Sequence, residues 1–284
     1  MTSTPQNVSL VADISLESSS IALEHWQEWV ASGVSGEIIA AGVETIHDIA
    51  IDPYTHEARF PIHEFLNWQV TRFGHQAREN QRAWTFRGLD PLNHWERMDW
   101  GCLKLDRARS SQGKELKYEQ PVGKGSSRAF FTAVPSSPRL WQMALTDPTI
   151  PIVIGEGAKK GACLVSFGFV TIALPGVSGA VRTKDALGNS VDHTLIPEIA
   201  LFAVPGRKFY ICFDHDRKPK TIANVNREIN KLGKSLSRAG CEVHVIDLPG
   251  PEKGVDDFIV AQGVEAFQRC YDNAKPLWQW QVHQ

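Results

Sequence analysis

From Ile150 to the carboxyl terminus, short apolar runs alternate with amphipathic stretches, and no other feature of this 284-residue chain restricts its fold as strongly. The order is PIVIGE, AKKGACLVSFG, FVTIALPG, an irregular insertion with one helix near LIPEIALFAV, then KFYICFDHD, NVNREINKLGKSLSRAG, CEVHVIDLPG and VDDFIVAQGVEAFQRCYDNA. A strand without a polar face needs cover on both sides, and a helix between successive strands supplies it. Residues 150–284 are therefore expected to form an α/β domain, a parallel sheet with helices on both faces.

Upstream the period changes. Residues 1–19 are rich in Ser and Thr without a sustained period and read as a disordered tail. IALEHWQEWVASG has helical spacing and stops at Gly33, and a second short helix is expected from Ser35 to Ala41. Between Ala58 and Val134, strand-like segments (RAWTFRGL, WERMDWGCLKLD, KELKYEQPV, SRAFFTAV) are separated by turn signals. Residues 20–149 are thus expected to be a smaller mixed α+β subdomain, bounded by PSSPRL and Asp147-Pro148.

The net charge of −2 conceals an uneven distribution. Residues 1–67 hold one basic residue against ten acidic ones, whereas residues 68–139 hold thirteen against seven, so the local net moves from −9 to +6. Basic side chains interleaved with aromatic rings suit a nucleic-acid backbone and its bases. Arg82, Arg87, Lys104, Arg107, Arg109, Lys117, Lys124 and Arg128, with Arg72 and Arg78, are the candidate nucleic-acid contacts. Most of the accompanying Trp84, Phe86, Trp95, Trp100, Tyr118, Phe130 and Phe131 are expected to build the core of that subdomain.

Several classes are set aside. Five scattered cysteines without a C-x-x-C pair argue against a disulfide framework and a zinc ribbon. No apolar run reaches the roughly 18 residues of a membrane span, and the amino terminus lacks a signal-peptide pattern, so a cytoplasmic protein with no membrane partner is expected. KLGKS at 231–235 mimics the end of a phosphate-binding loop, but Glu228 stands where the earlier glycine is needed.

In a parallel sheet, functional groups gather outside the carboxyl ends of the strands. Glu156, Asp214, Asp216 and the pair Asp256-Asp257 all fall there. Converging carboxylates repel and need a counter-ion; magnesium or manganese, with its preference for hard oxygen ligands, is the expected one. Asp214 and Asp216, at i and i+2 of an extended segment, would face the same side and share that ion. Lys159 and Lys160 open the helix after Glu156, and Arg217, Lys218 and Lys220 follow Asp216; these are candidate phosphate contacts.

IGEGAKKGA, CFDHD and KGVDDFI together resemble the Toprim fold of bacterial-type primases, topoisomerases and OLD-family nucleases. GEGAKKGACL…ALPGVSG, with the upstream FRGLDPLNHWERMDWGCLKLDRAR and SRAFF, resembles more narrowly the DUF3854-like, primase-type region of replication proteins of cyanobacterial plasmids and mobile elements. The resemblance implies Glu156 as a catalytic acid/base or metal-orienting residue, Asp214 and Asp216 as catalytic metal ligands, and Asp256 as a further ligand. It also implies a single-stranded DNA template, nucleoside triphosphates and a replicative helicase in cis or trans. Two positions depart from the primase pattern: Lys160 stands where an acid is common, and Gly254-Val255-Asp256 where many have Asp-Pro-Asp. A magnesium-dependent, primase-type nucleotidyltransferase is the leading expectation; a metal-dependent nuclease and a non-catalytic nucleic-acid-binding module remain alternatives.

Overall fold

A computed structural model of the protein describes residues 21–68, 81–111, 113–123, 128–184 and 188–283. The tail expected at 1–19, and the candidate contacts Arg72, Arg78 and Lys124, lie outside the described residues. The first half runs α1 (Leu23–Val30), α2 (Gly36–Gly42), β1 (Val43–His47), β2 (Ala50–Ile51), β3 (Ala58–Arg59), α3 (Pro61–Leu66), β4 (Arg82–Phe86), β5 (Leu89–Asp90), β6 (Glu96–Arg97), β7 (Cys102–Leu105), β8 (Arg109–Ser111), β9 (Lys114–Leu116) and β10 (Phe130–Phe131). The second runs α4 (Leu140–Thr146), β11 (Ile152–Glu156), α5 (Ala158–Ser166), β12 (Thr171–Leu174), β13 (Val181–Lys184), β14 (Ser190–Leu195), α6 (Pro197–Ala200), β15 (Lys208–Cys212), α7 (Pro219–Arg238), β16 (Glu242–Val245), α8 (Val255–Gln262), α9 (Val264–Asp272), β17 (Lys275–Pro276) and α10 (Leu277–Val282).

The expected α/β sheet is present. Its six strands lie in the order β10-β12-β11-β15-β16-β17, and helices flank it. The four inner strands pair in parallel and the two edges antiparallel. Thr171–Leu174 is buried along its whole length, and Ile152–Gly155 likewise, which is the burial their unbroken apolar sequence demands. β10 precedes residue 150 yet is hydrogen-bonded into this sheet through Phe130 and Phe131.

The first half is built on a three-stranded antiparallel sheet, β1-β4-β7. Trp29 of α1 stacks on Phe86 with ring centroids 5.0 Å apart and meets Trp84 edge-on at 5.1 Å. Trp95, Phe131, Trp141 and Phe202 form a second aromatic group where this half meets the sheet. Such pairs each contribute about 0.5–1.5 kcal/mol beyond the area they remove from water. One apolar cluster consequently runs from Ile21 to Trp280, while Ile62, Phe65, Leu66, Ala83, Leu103 and Leu105 form a smaller one around α3.

Two local expectations change. The stretch from Val255, read as one helix, is two, because Gly263 takes φ of 85° and breaks the hydrogen-bond ladder between α8 and α9. The insertion after β12 is chiefly the antiparallel hairpin β13–β14, followed by the short helix α6.

Candidate functional site

Two strand ends and one helix start converge on a single mouth. Glu156 closes β11, Asp214 lies two residues past β15, and Asp256 sits in the first turn of α8. Their side chains line a cleft of about 370 Å³ with Lys159 and Lys160 of α5 and Lys253. The opposite wall comes from the first half of the chain: Trp84, Cys102, Lys117, Tyr118 and Phe130. Residues separated by more than a hundred positions meet here because β11 and β15 are neighbours in parallel register and the β4–β7 sheet packs across their ends.

The arrangement of charge differs from the expected one. Lys160 Nζ donates to both carboxylate oxygens of Asp214, at 2.6 and 2.7 Å. Burial alone would lower the pKa of Lys160, but the Asp214 charge overcomes this and raises it, with Glu156 and Asp256 acting in the same direction. Burial, then the neighbouring Asp214 charge, pushes Glu156 above the usual carboxylate range. Burial likewise raises Asp256, which is 6% exposed and whose Oδ1 has no hydrogen-bond partner.

Asp216 and Asp214 have different partners. Its Oδ1 accepts the backbone N–H of Lys218 at 2.8 Å, which holds the carboxyl below its ordinary range, and its Oδ2 lies 3.6 Å from Lys253 Nζ. Residues 213–218, between β15 and α7, belong to no helix or strand, and there Asp214 turns to Lys160 while Asp216 turns to the Lys218 N–H and Lys253. Among the described residues, no group of three or more His, Cys, Asp or Glu side chains comes together in a way that could hold a metal ion. The expected magnesium or manganese ligand set of Glu156, Asp214, Asp216 and Asp256 therefore does not fit a divalent ion as it stands: both carboxylate oxygens of Asp214 are taken by the Lys160 ammonium, and Asp216 turns to other partners.

Glu28 of α1 is a site residue that sequence reasoning missed. It accepts hydrogen bonds from Trp84 Nε1 at 3.0 Å, Lys104 Nζ at 2.8 Å and Lys159 Nζ at 2.9 Å. Burial would raise its pKa, but the two lysines and the indole overcome that and lower it to about 2. No spacing rule links positions 28, 104 and 159, so only the packing of α1 across the strand ends could reveal it.

Five of the described basic residues of this segment are held by carboxylates. Arg82 pairs with Asp106 and Glu24, Lys104 with Glu28, Arg109 with Glu119, and Arg97 with Glu44. Arg128 bridges Asp90 and the buried Glu198 at 2.7 and 2.9 Å. Glu24, Glu28 and Glu44 of the acidic first segment thus pair with Arg82, Lys104 and Arg97, so at these positions the basic side chains are partnered, which the charge division alone did not show. Arg87 stands over the Phe65 ring, Arg107 lies exposed, and Arg217 and Lys218 are exposed outside the cleft. Of the basic candidates, Lys117, Lys159 and Lys160 line the cleft. Trp84, Phe86, Trp100, Phe130 and Phe131 are core residues, as most of the aromatics were expected to be, whereas Tyr118 is 43% exposed.

No helix among the described residues is long and apolar enough to cross a membrane. Residues 140–266, which carry Glu156, Lys160, Asp214 and Asp256, match a family described as a domain of unknown function, DUF3854. An uncharacterized protein of Picosynechococcus sp. strain PCC 7002 is 34% identical over 92% of this chain, and the chain spans 28% of that relative's length. Among solved structures, the zinc-binding and RNA polymerase domains of the Aquifex aeolicus primase superpose with a TM-score of 0.57 at 14% identity, covering 93% of this chain and 59% of that one. A DNA primase domain from Pseudomonas aeruginosa gives 0.52 at 15% identity, covering 90% of this chain and 73% of that one. The likeness to DUF3854 therefore covers residues 140–266, and the likeness to primase domains is one of fold over most of the chain.

Proposed function

We propose that this chain is the phosphate-handling module of a primase-type replication protein, binding single-stranded DNA and nucleoside triphosphates at the cleft and joining nucleotides there. The observation that carries the reading is the cleft itself: strand-end carboxylates, four lysines and one exposed ring meet in a single mouth on a primase-like fold. Lys117 and Lys253 would meet backbone or triphosphate oxygens, and Tyr118 would offer a stacking face to a base. Glu156, raised above the ordinary carboxylate range by burial and Asp214, is suited to accept the proton of an attacking 3′-hydroxyl. A helicase, in the same longer protein or separate from it, would supply the single strand.

A second reading is supported by the Lys160–Asp214 pair: binding without chemistry, since the acid placed for catalysis is already neutralised. Primer synthesis on mixed-sequence single-stranded DNA, with magnesium, manganese or EDTA, separates the two. Nucleotide-dependent products that disappear in Glu156→Gln support synthesis; strand binding without products supports the second reading. Shortening of the labelled strand without nucleotides would instead identify a nuclease.

A further inference from the structure

We propose that the Lys160 ammonium is the resident cation of this rim, so that phosphate is bound in the cleft without a divalent metal; the inference rests on the phosphate-handling reading above. Lys160 lies four residues after Glu156, on the first turn of α5, and so projects across the ends of β11 and β15. Its Nζ holds both oxygens of Asp214, and its stem fills the space beside Gly254. A Cβ on Gly254 would lie 2.7 Å from Lys160 Cε and 2.5 Å from Asp256 Oδ1, so the absence of a side chain there is what allows lysine and carboxylate to occupy the same corner.

Charge and hydrogen-bond capacity both point the same way. An acid at position 160 would join Glu156, Asp214 and Asp256 as a fourth carboxylate and demand a dication. A lysine there supplies positive charge from the chain itself. Lys253 lies beside Asp216 and Lys159 is held by Glu28, so the lysines and acids around the cleft are close to balance. An ammonium has three N–H donors, and Asp214 takes two, leaving the third for a phosphate oxygen at the mouth. Asp256 Oδ1, buried and without a hydrogen bond, lines the same cleft and would accept from a hydroxyl or amino group of the ligand.

Manganese titration followed by electron paramagnetic resonance, without nucleotide and with protein in molar excess, tests the assignment. The wild-type chain should leave the ion free, and Lys160→Asp should capture it and lose it again when Asp214→Asn is added. Binding of ATP and of a labelled single-stranded oligonucleotide should be equal in magnesium and in EDTA, and should weaken about tenfold in Lys160→Ala, the scale of one charge-assisted hydrogen bond. Manganese captured by the wild-type chain and lost in Asp214→Asn would overturn the proposal, as would phosphate binding abolished by EDTA. If Lys160→Asp or Lys160→Ala does not fold by circular dichroism, the wild-type manganese and EDTA arms decide alone. Absence of ATP and oligonucleotide binding under every condition would refute the phosphate-handling reading, while the manganese titration still judges the cation assignment.

Discussion

The Lys160 ammonium is hydrogen-bonded to both carboxylate oxygens of Asp214, 2.6 and 2.7 Å away, with both side chains mostly removed from water. A half-broken pair in such a place leaves an uncompensated charge, which costs about 3 kcal/mol. Asp214→Asn and Lys160→Met should each lower the urea midpoint, and the double variant should recover part of the loss. A double-mutant cycle checks this, with a coupling energy above about 1 kcal/mol expected and additive losses counting against the pairing.

Glu28 gives the fold a defined acid sensitivity. Its carboxyl titrates near 2 in the folded protein against 4.5 for an unperturbed glutamate, so the unfolded chain binds the proton more readily. The resulting stabilisation is complete above the unperturbed value and is lost as pH falls through the folded one, with a size of roughly 2 kcal/mol after allowing for its partial exposure. Urea unfolding of wild type and Glu28→Gln should therefore differ most near neutral pH, and the gap should close between pH 4.5 and 2.

Glu156 behaves in the opposite sense. Burial and Asp214 raise its folded pKa, so stability associated with this group is greatest when it is protonated and falls as pH rises past its folded value. Glu156→Gln should be more thermostable than wild type at pH 7 to 8 and equal to it at a pH where the glutamate is protonated in both states. A melting series across that range is the check; a destabilised glutamine variant at neutral pH would contradict the assigned environment.

Lys117 and Lys253 face the mouth, whereas Arg82 is held by Asp106 and Glu24. Replacing either lysine by Ala should reduce the slope of log affinity against log salt for a single-stranded oligonucleotide by about 0.7, the release of one condensed ion. Arg82→Ala should leave that slope unchanged. Fluorescence anisotropy over a salt series distinguishes them, and a slope lost in Arg82→Ala would restore the open basic surface.

The parallel sheet was legible because its signal is local. Four apolar runs of strand length, each followed by a helical period or a turn, can be buried only one way, and strands ending at Glu156 and just before Asp214 place those acids on one rim. The resemblance to the Toprim fold rested on short segments of the same region, residues 154–162, 212–216 and 253–259. The helix break at Gly263 was less visible, because a glycine inside an amphipathic pattern declares its φ only when the neighbouring turns are placed.

Which charge meets which was decided by tertiary structure alone. The residue names 28, 104, 159, 160 and 214 announce acids and bases, but Coulomb interactions fall with distance and burial rather than with sequence separation. Packing of α1 paired Glu28 with Lys104 and Lys159, and folding the acidic first segment onto the basic one paired Arg82 with Glu24 and Arg97 with Glu44. Lys160 stood in the sequence as a departure from a family pattern. Only the fold turned it towards Asp214, and so determined that the rim carries its own cation.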